Sequence, residues 1–265
     1  MAQFTINGVA FDRIHKGVAL SPTTGEVLYT LTQLTEATIE VTSESREMRD
    51  KDGSLIKTIY TGKSGTFTVT NAFLDVDIIA QESGSDKEVA TDAKPITMPY
   101  VHEFKRGETS ATIAGLDADT VKVVGQAANG SMTKIYKKGT IASDDEFVAS
   151  GEVIQFPTDT EPSKFVVIAE RTVKVGSKVV NLADKFPKTV ELILLCFTID
   201  PCSPDVKRAT YLRIPSFQTS PDHTITLAAD STIEFSGVMQ TAYCEDNGDK
   251  IIYEMYYPED DVYED

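Results

Sequence analysis

Tryptophan is absent from this chain of 265 residues, and cysteine occurs only three times. The odd number of cysteines (Cys196, Cys202 and Cys244) and an N-terminus without a basic segment followed by an apolar stretch do not suggest a secreted disulfide-bonded protein. Reduced thiols are therefore expected. A bridge between Cys202 and Cys244 stays open, although nothing in the sequence supports it.

Histidine is equally rare, and its three positions are far apart: His15, His102 and His223. No two of them have the spacing of metal ligands on one helix or turn. Cys196 and Cys202 lack a second cysteine pair, so buried thiols explain them better than zinc does. The sequence therefore predicts no metal site and no cofactor.

Long apolar runs are also missing. The longest, Val190 to Phe197, is interrupted by Glu191 and is far shorter than the roughly 20 residues that a membrane-spanning helix needs. With no signal-peptide pattern at the N-terminus, we expect no membrane anchor and synthesis in the cytoplasm.

Positive charge is in short supply. Lys and Arg number 25 against 41 Asp and Glu, which gives a formal net charge of −16 and a pI near 4.6. Ordinary nucleic-acid binding needs the opposite sign, because cations must neutralise phosphates. Solubility is the simpler explanation of the acidic balance, and repulsion of an anionic molecule is the alternative.

Fragments that imitate nucleotide or calcium sites fail on specific positions. Gly62-Lys63-Ser64 resembles the end of a phosphate-binding loop, but Lys57 stands where the motif needs glycine and a strand follows where it needs a helix. A calcium loop drawn through Asp50 to Gly53 would place Met48 and Ile59 at ligand positions.

Hydrolase signatures are no better supported. No Gly-x-Ser-x-Gly motif occurs. Asp117 with Asp119, and Asp144 with Asp145, offer paired carboxylates, yet acidic loops are common in a chain of this charge, and glycosidase pairs come from distant positions. The sequence therefore predicts that the protein is not an enzyme.

What is abundant is Thr, Val and Ile in short alternating segments separated by Gly, Pro and Asp, which predicts a mainly β sandwich or barrel. The opening third predicts strands at Gln3–Val9, Glu26–Leu31 and Ala37–Thr42, followed by Lys63–Thr70. A later strand is expected at Thr224–Ala228.

The clearest local signal is a β-hairpin. Glu44–Asp50 and Ser54–Tyr60 flank Lys51-Asp52-Gly53, and glycine after aspartate favours a tight turn with positive φ. Both faces of the flanking strands are polar, so no core can hold them, and we expect the hairpin to project and pair with another surface. Its candidate contact residues are Arg49, Asp50, Lys51, Asp52, Gly53 and Ser54.

One short α-helix is expected next to this hairpin. Asn71 is a suitable N-cap, Asp75 and Asp77 suit the first turns, and Ser83-Gly84-Ser85 ends the segment. Its apolar face, which we expect to pack against the β core, consists of Phe73, Leu74, Val76, Ile78 and Ile79.

No linker composition or fixed repeat divides the chain, so the sequence indicates one β domain over residues 1–265. The segment 86–162 is a candidate inserted subregion. The acidic end, 258–265, is expected to be a mobile tail.

Two segments resemble the major tail tube proteins of long-tailed bacteriophages. The first, Thr42–Gln81, has a polar hairpin on an Asp- and Gly-containing turn, then a strand and a short apolar helix; the second, Phe235–Cys244, is similar to a late strand of that family. The chain is longer than a minimal tube subunit, and the extra length lies notably in segment 86–162.

This resemblance implies a tube-like β-sandwich or barrel core whose subunits form hexameric rings. The rings would stack into a tube in the virion tail, with the hairpin as an inter-subunit or inter-ring element. Genome DNA would pass without specific binding, and the other partners would be tail proteins such as a sheath, terminator or baseplate protein.

Two other functions remain open. One is a different virion role, such as capsid decoration or a tail accessory. The other is a carbohydrate-binding β module in which Tyr253, Tyr256 and Tyr257 would contact sugars, although the lack of tryptophan argues against it.

Overall fold

The structure is a computed structural model that describes residues 8–73, 75–200, 203–229, 232–241, 250–258 and 262–263. The chain divides into two compact units. The first unit comprises residues 1–87 and 179–265, and the second unit is the intervening segment, 88–178. The structure confirms the mainly β fold class, with one helix in the described part.

The first unit is built on one large antiparallel sheet. Its path runs β2-β1-β14-β15-β16-β4-β3, and two short strands, β17 and β18, pair with β15. The bounds are β1 Ala10–Leu20, β2 Val27–Leu31, β3 Leu34–Arg49, β4 Leu55–Asn71, β14 Thr189–Asp200, β15 Ser203–Thr219, β16 Ile233–Met239, β17 Glu254–Tyr256 and β18 Val262–Tyr263.

Alternate residues of these strands form the core of the first unit, as period-two patterning requires. Phe217 is central: its ring meets Phe67 edge-on at 5.7 Å and Phe235 at the same centroid distance. All three rings are fully buried. Gly237 keeps β16 close to β15, because a Cβ there would lie 2.4 Å from the carbonyl oxygen of Gln218.

The strand β1 was not predicted from the sequence. The strand that was predicted there, Gln3–Val9, lies mostly outside the described residues. Two register shifts, between Phe11 and Arg13 and between Ile14 and Lys16, break the alternation that would have identified β1. The strand expected at Thr224–Ala228 was wrong, since these residues have no regular structure.

The helix α1 spans Val76–Glu82, and its start differs from the prediction. Asp75 is the N-cap, with its side chain accepting a hydrogen bond from the backbone N–H of Asp77 at 2.8 Å. The prediction of Asn71 was wrong because Asn71 is still the last residue of β4. Helical periodicity alone cannot show where the preceding strand ends.

The helix directs only part of its predicted apolar face into the first unit. Ile78 is fully buried in the core and Ile79 packs against it. Phe73 precedes the helix and is 64% exposed, and Val76 is also exposed. Neither side chain is therefore buried in the β core as expected. Leu74 lies outside the described residues.

The second unit has its own β-sheet and a separate core. Its seven-stranded path is β6-β12-β8-β9-β10-β11-β7, antiparallel except between β9 and β10. The bounds are β6 Ile96–Lys105, β7 Ser110–Thr112, β8 Lys122–Gln126, β9 Met132–Lys138, β10 Glu146–Ser150, β11 Val153–Gln155 and β12 Lys164–Val173. A two-stranded pair, β5 Glu88–Val89 with β13 Ser177–Lys178, joins the two ends of the unit.

The compact unit ends at Lys178, whereas the sequence suggested an inserted region that ended at Pro162. The difference arises because β12 lies between β6 and β8 and supplies Phe165 and Val167 to the buried core. In the part of the chain that the structure describes, no helix is long and apolar enough to cross a membrane.

Candidate subunit-interface hairpin

The hairpin formed by β3 and β4 extends well past the sheet. The two strands pair continuously from Leu34 opposite Asn71 to Arg49 opposite Leu55, with register shifts at three points. Within the described chain, β16 pairs with β4 only from Gly65 to Asn71. Residues 40–64, which we call the hairpin arm, therefore have no third strand beside them among the described residues.

The hairpin arm has no core of its own. Every described residue from 40 to 57 is exposed, and only positions 58 and 59 of the arm are half-buried. Its apolar side chains are nevertheless large: Tyr60 is 72% exposed, Ile56 65% and Leu55 52%. An exposed, two-stranded ribbon that carries such residues is suited to contact another surface.

The tip is organised by Asp50. One carboxylate oxygen, Oδ1, accepts hydrogen bonds from the backbone N–H groups of Asp52 at 2.9 Å and Ser54 at 2.8 Å. The backbone of Asp50 also donates to the carbonyl of Ser54 and accepts from the N–H of Gly53. Gly53 has φ +86°, a conformation that glycine adopts without a Cβ penalty.

Arg49 reinforces the tip from its base. Its Nη1 donates to the carbonyl of Gly53 at 2.9 Å, while Nε and Nη2 both donate to Oε2 of Glu47. Lys51 and Asp52 are exposed at the apex. The structure thus brings all six predicted tip residues into one turn, and their part in a subunit contact remains a prediction.

Charge is distributed unequally along the chain. The second unit has 13 acidic and 11 basic residues, which gives a net charge of −2. The first unit has the remaining 28 acidic and 14 basic residues, which gives a net charge of −14. The hairpin arm carries five of each sign and is neutral. The arm is therefore a neutral segment within a strongly acidic unit.

A buried polar cluster lies where α1 meets the sheet, and no motif in the sequence indicates it. Glu82, the last helical residue, is 2% exposed, and its Oε2 has no hydrogen-bond partner among the described residues. Burial raises the pKa of the Glu82 carboxyl to about 7. Burial, and secondarily the Glu82 carboxylate, raises the pKa of Tyr29.

The fragments that imitated nucleotide or metal sites occupy ordinary structural positions. Gly62, Lys63 and Ser64 lie within β4, which continues to Asn71, so no helix begins at this point to bind phosphate. In the described ranges, no group of three or more His, Cys, Asp or Glu side chains is placed to hold a metal ion. Cys196 is a buried free thiol, and Cys202 and Cys244 lie outside those ranges.

The C-terminal residues that sequence reasoning singled out lie beside β15. Tyr256 pairs with Tyr211, and the short strand Val262–Tyr263, inside the expected mobile tail, pairs with Arg208 and Lys207. The other residues of the tail, apart from Pro258, are outside the described ranges. Tyr256, in β17, and Tyr253, which precedes β17, are both partly exposed.

The described residues thus form a β-rich protein with a long, exposed antiparallel hairpin. The chain belongs to the YomU/Tube protein family, whose model matches residues 15–252 and so includes the hairpin arm, the whole second unit and most of the first unit. Family membership confirms the resemblance to phage tail tube proteins and places the chain among structural proteins of the virion tail. No curated protein matches the chain.

Proposed function

We propose that this chain assembles with copies of itself into hexameric rings that stack to form the tail tube, assembled in the host cytoplasm. The hairpin arm supports this proposal. Among the described residues no third strand pairs with its outer edges, so a neighbouring copy could bond the N–H and C=O groups of those edges. Contacts that close by rotation give rings, and axial contacts that do not close give stacks.

The arm also carries the apolar side chains that such a contact needs. Ile56 and Tyr60 are on the strand that returns from the tip, and each would lose most of its water-exposed surface in a subunit interface. Burial of apolar surface contributes about 25 cal/mol per Å². The equal numbers of positive and negative charges on the arm allow this contact between subunits that otherwise repel.

The charge of the first unit supports the conduit part of the proposal. A net charge of −14 in that unit repels phosphates, so DNA would pass a wall formed by first units without adhering to it. Other tail proteins, such as a sheath, terminator or baseplate protein, would meet the same tube at its surface and ends.

Negative-stain electron microscopy of two double-site variants tests the proposal. Ile56→Glu with Tyr60→Glu places two charges on the arm without touching the core, so rings and tubes should be lost while the thermal unfolding midpoint stays within about 2 °C of the unmodified protein. The matched control changes exposed apolar residues of the same unit away from the arm, Val27→Glu with Leu227→Glu. Tubes from the arm variant at the normal yield would refute the role of the arm.

A further inference from the structure

The second unit presents a sheet face that points away from its core. Along β12, Phe165 and Val167 are buried in that core, so Val166 and Ile168, which alternate with them, project from the opposite face. The same alternation holds on β8, where Val123 faces the core and Val124 does not belong to it.

Cross-strand register brings aliphatic side chains together on this outward face. Val101 of β6 lies opposite Ile168, while Val124 of β8 lies between Val166 and Ile135 of β9. These five residues cross all four strands, and we call them the outer patch. Directly opposed β-branched side chains pack against each other, which makes the patch continuous.

Most of this patch is exposed within the second unit. Ile135 is 73% exposed, Val101 65% and Ile168 38%, whereas Val124 at the centre is 5% exposed. A sheet face in contact with water normally carries polar residues at such positions. A contiguous aliphatic group there indicates a surface that another molecule covers.

The charges around the outer patch identify the chemistry of that molecule. Four exposed lysines follow the same outward alternation: Lys105, Lys122, Lys137 and Lys164. Three carboxylates accompany them: Glu103, which pairs with Lys164 at 2.7 Å, Glu170, and the half-buried Glu146, which lies opposite Lys137. An aliphatic centre with a basic rim fits an acidic protein surface.

We propose that the outer patch binds the acidic first unit of a second copy of this chain. This inference rests on the proposed function, because stacked or adjacent subunits supply the second copy at high effective concentration. The first unit has a net charge of −14, so it complements the lysine rim. Two outer patches facing each other would instead oppose their lysines, which disfavours a symmetric pair.

Thiol labelling before and after assembly tests whether the patch becomes covered. The variant Ile135→Cys places a thiol in the patch, and Ile141→Cys places one on a loop of the same unit; the original side chains are 73% and 76% exposed. Maleimide modification is followed by peptide mass spectrometry at each introduced position. The rate at position 135 should fall by about tenfold or more in tubes and stay within about twofold at position 141.

The outcomes separate this inference from the proposed function. If the unmodified protein forms no rings or tubes, both fail. If tubes form and position 135 labels as fast as in the free subunit, the tube assignment stands and the inference is overturned.

Zero-length carbodiimide cross-linking tests the identity of the occupant. Tubes are assembled from equal amounts of ¹⁴N- and ¹⁵N-labelled chains, so that mixed-isotope peptides mark links between copies. Links from Lys122 or Lys137 should lead to carboxylates of the first unit. Links confined to carboxylates of another second unit, or the absence of mixed links from these lysines, would overturn the assignment.

Discussion

The carboxylate of Asp50 accepts a hydrogen bond from the backbone N–H of Ser54 at 2.8 Å, across the tip of the hairpin arm. The same oxygen accepts from the N–H of Asp52, so one side chain fixes the turn at the far end of a ribbon that no core supports. The order of the arm therefore depends on local hydrogen bonds.

Replacing Asp50 should loosen the tip without unfolding the first unit. Asp50→Ala removes both acceptor contacts, which contribute about 1 kcal/mol each, so the Ser54 amide should exchange with solvent about tenfold faster or more. Asp52→Ala is the control because it removes the same charge from an exposed apex side chain. Equal exchange rates in the two variants would show that Asp50 does not organise the turn.

Glu82 makes stability depend on pH. Its folded-state pKa is about 7, against an ordinary value of 4.5, so the fold binds this proton more tightly than the unfolded chain does. The corresponding stability is fully present below about pH 4.5 and is lost as the pH rises to about 7, a total of about 3 kcal/mol. Glu82→Gln should remove this dependence.

Chemical denaturation between pH 4 and 8 provides the measurement. At pH 8 the Glu82→Gln variant should be more stable than the unmodified protein, because no buried charge remains. Glu36→Gln, at an exposed position of β3, controls for the loss of one acidic residue. The same pH slope in both variants would contradict a raised pKa at Glu82.

Gly84, which follows α1, should tolerate no side chain. Its φ is +62°, and an added Cβ would lie 2.3 Å from the backbone of Phe186. Gly84→Ala should therefore cost about 2 kcal/mol or more in unfolding free energy. Gly130 also has a positive φ, but an added Cβ there would have no neighbour within 4 Å. Gly130→Ala should therefore lower the unfolding free energy by only about 1 kcal/mol. Equal losses would mean that the close approach does not matter.

The N-cap of α1 gives a smaller effect. Asp75→Ala removes the acceptor for the Asp77 N–H and should lower the unfolding free energy by about 1 kcal/mol. Asp86→Ala changes the charge equally at an exposed position after the helix. Urea denaturation of the two variants checks the difference, and the account is wrong if Asp86→Ala is as destabilising.

The sequence predicted the turn at Asp50 to Gly53 because its chemistry is local: a side-chain acceptor and a residue with positive φ lie within four positions. It did not predict that Ser54–Tyr60 and Lys63–Thr70 form one strand. Gly62 lies between the two predicted strands, and in the structure it lies at a register shift between β3 and β4. That shift depends on the partner strand.

Long-range pairing also explains the other omissions. The boundary of the second unit depends on β12 pairing with a strand about 60 residues earlier in the chain, as in Lys164 opposite Lys105. The buried cluster at Glu82 and Tyr29 forms because a helix end meets a distant strand, and neither residue belongs to a recognisable motif. The sequence alone predicted the candidate hairpin, whereas the outer patch could be identified only from the pairing of residues across neighbouring strands.

The most direct test of self-assembly is cryo-electron microscopy of the purified chain at high concentration, with sedimentation velocity on the same sample. The account predicts six-fold rings that stack into tubes, with the hairpin arm of each subunit in contact with a neighbouring copy. A strictly monomeric protein under these conditions, or tubes in which residues 40–64 contact no other subunit, would contradict it.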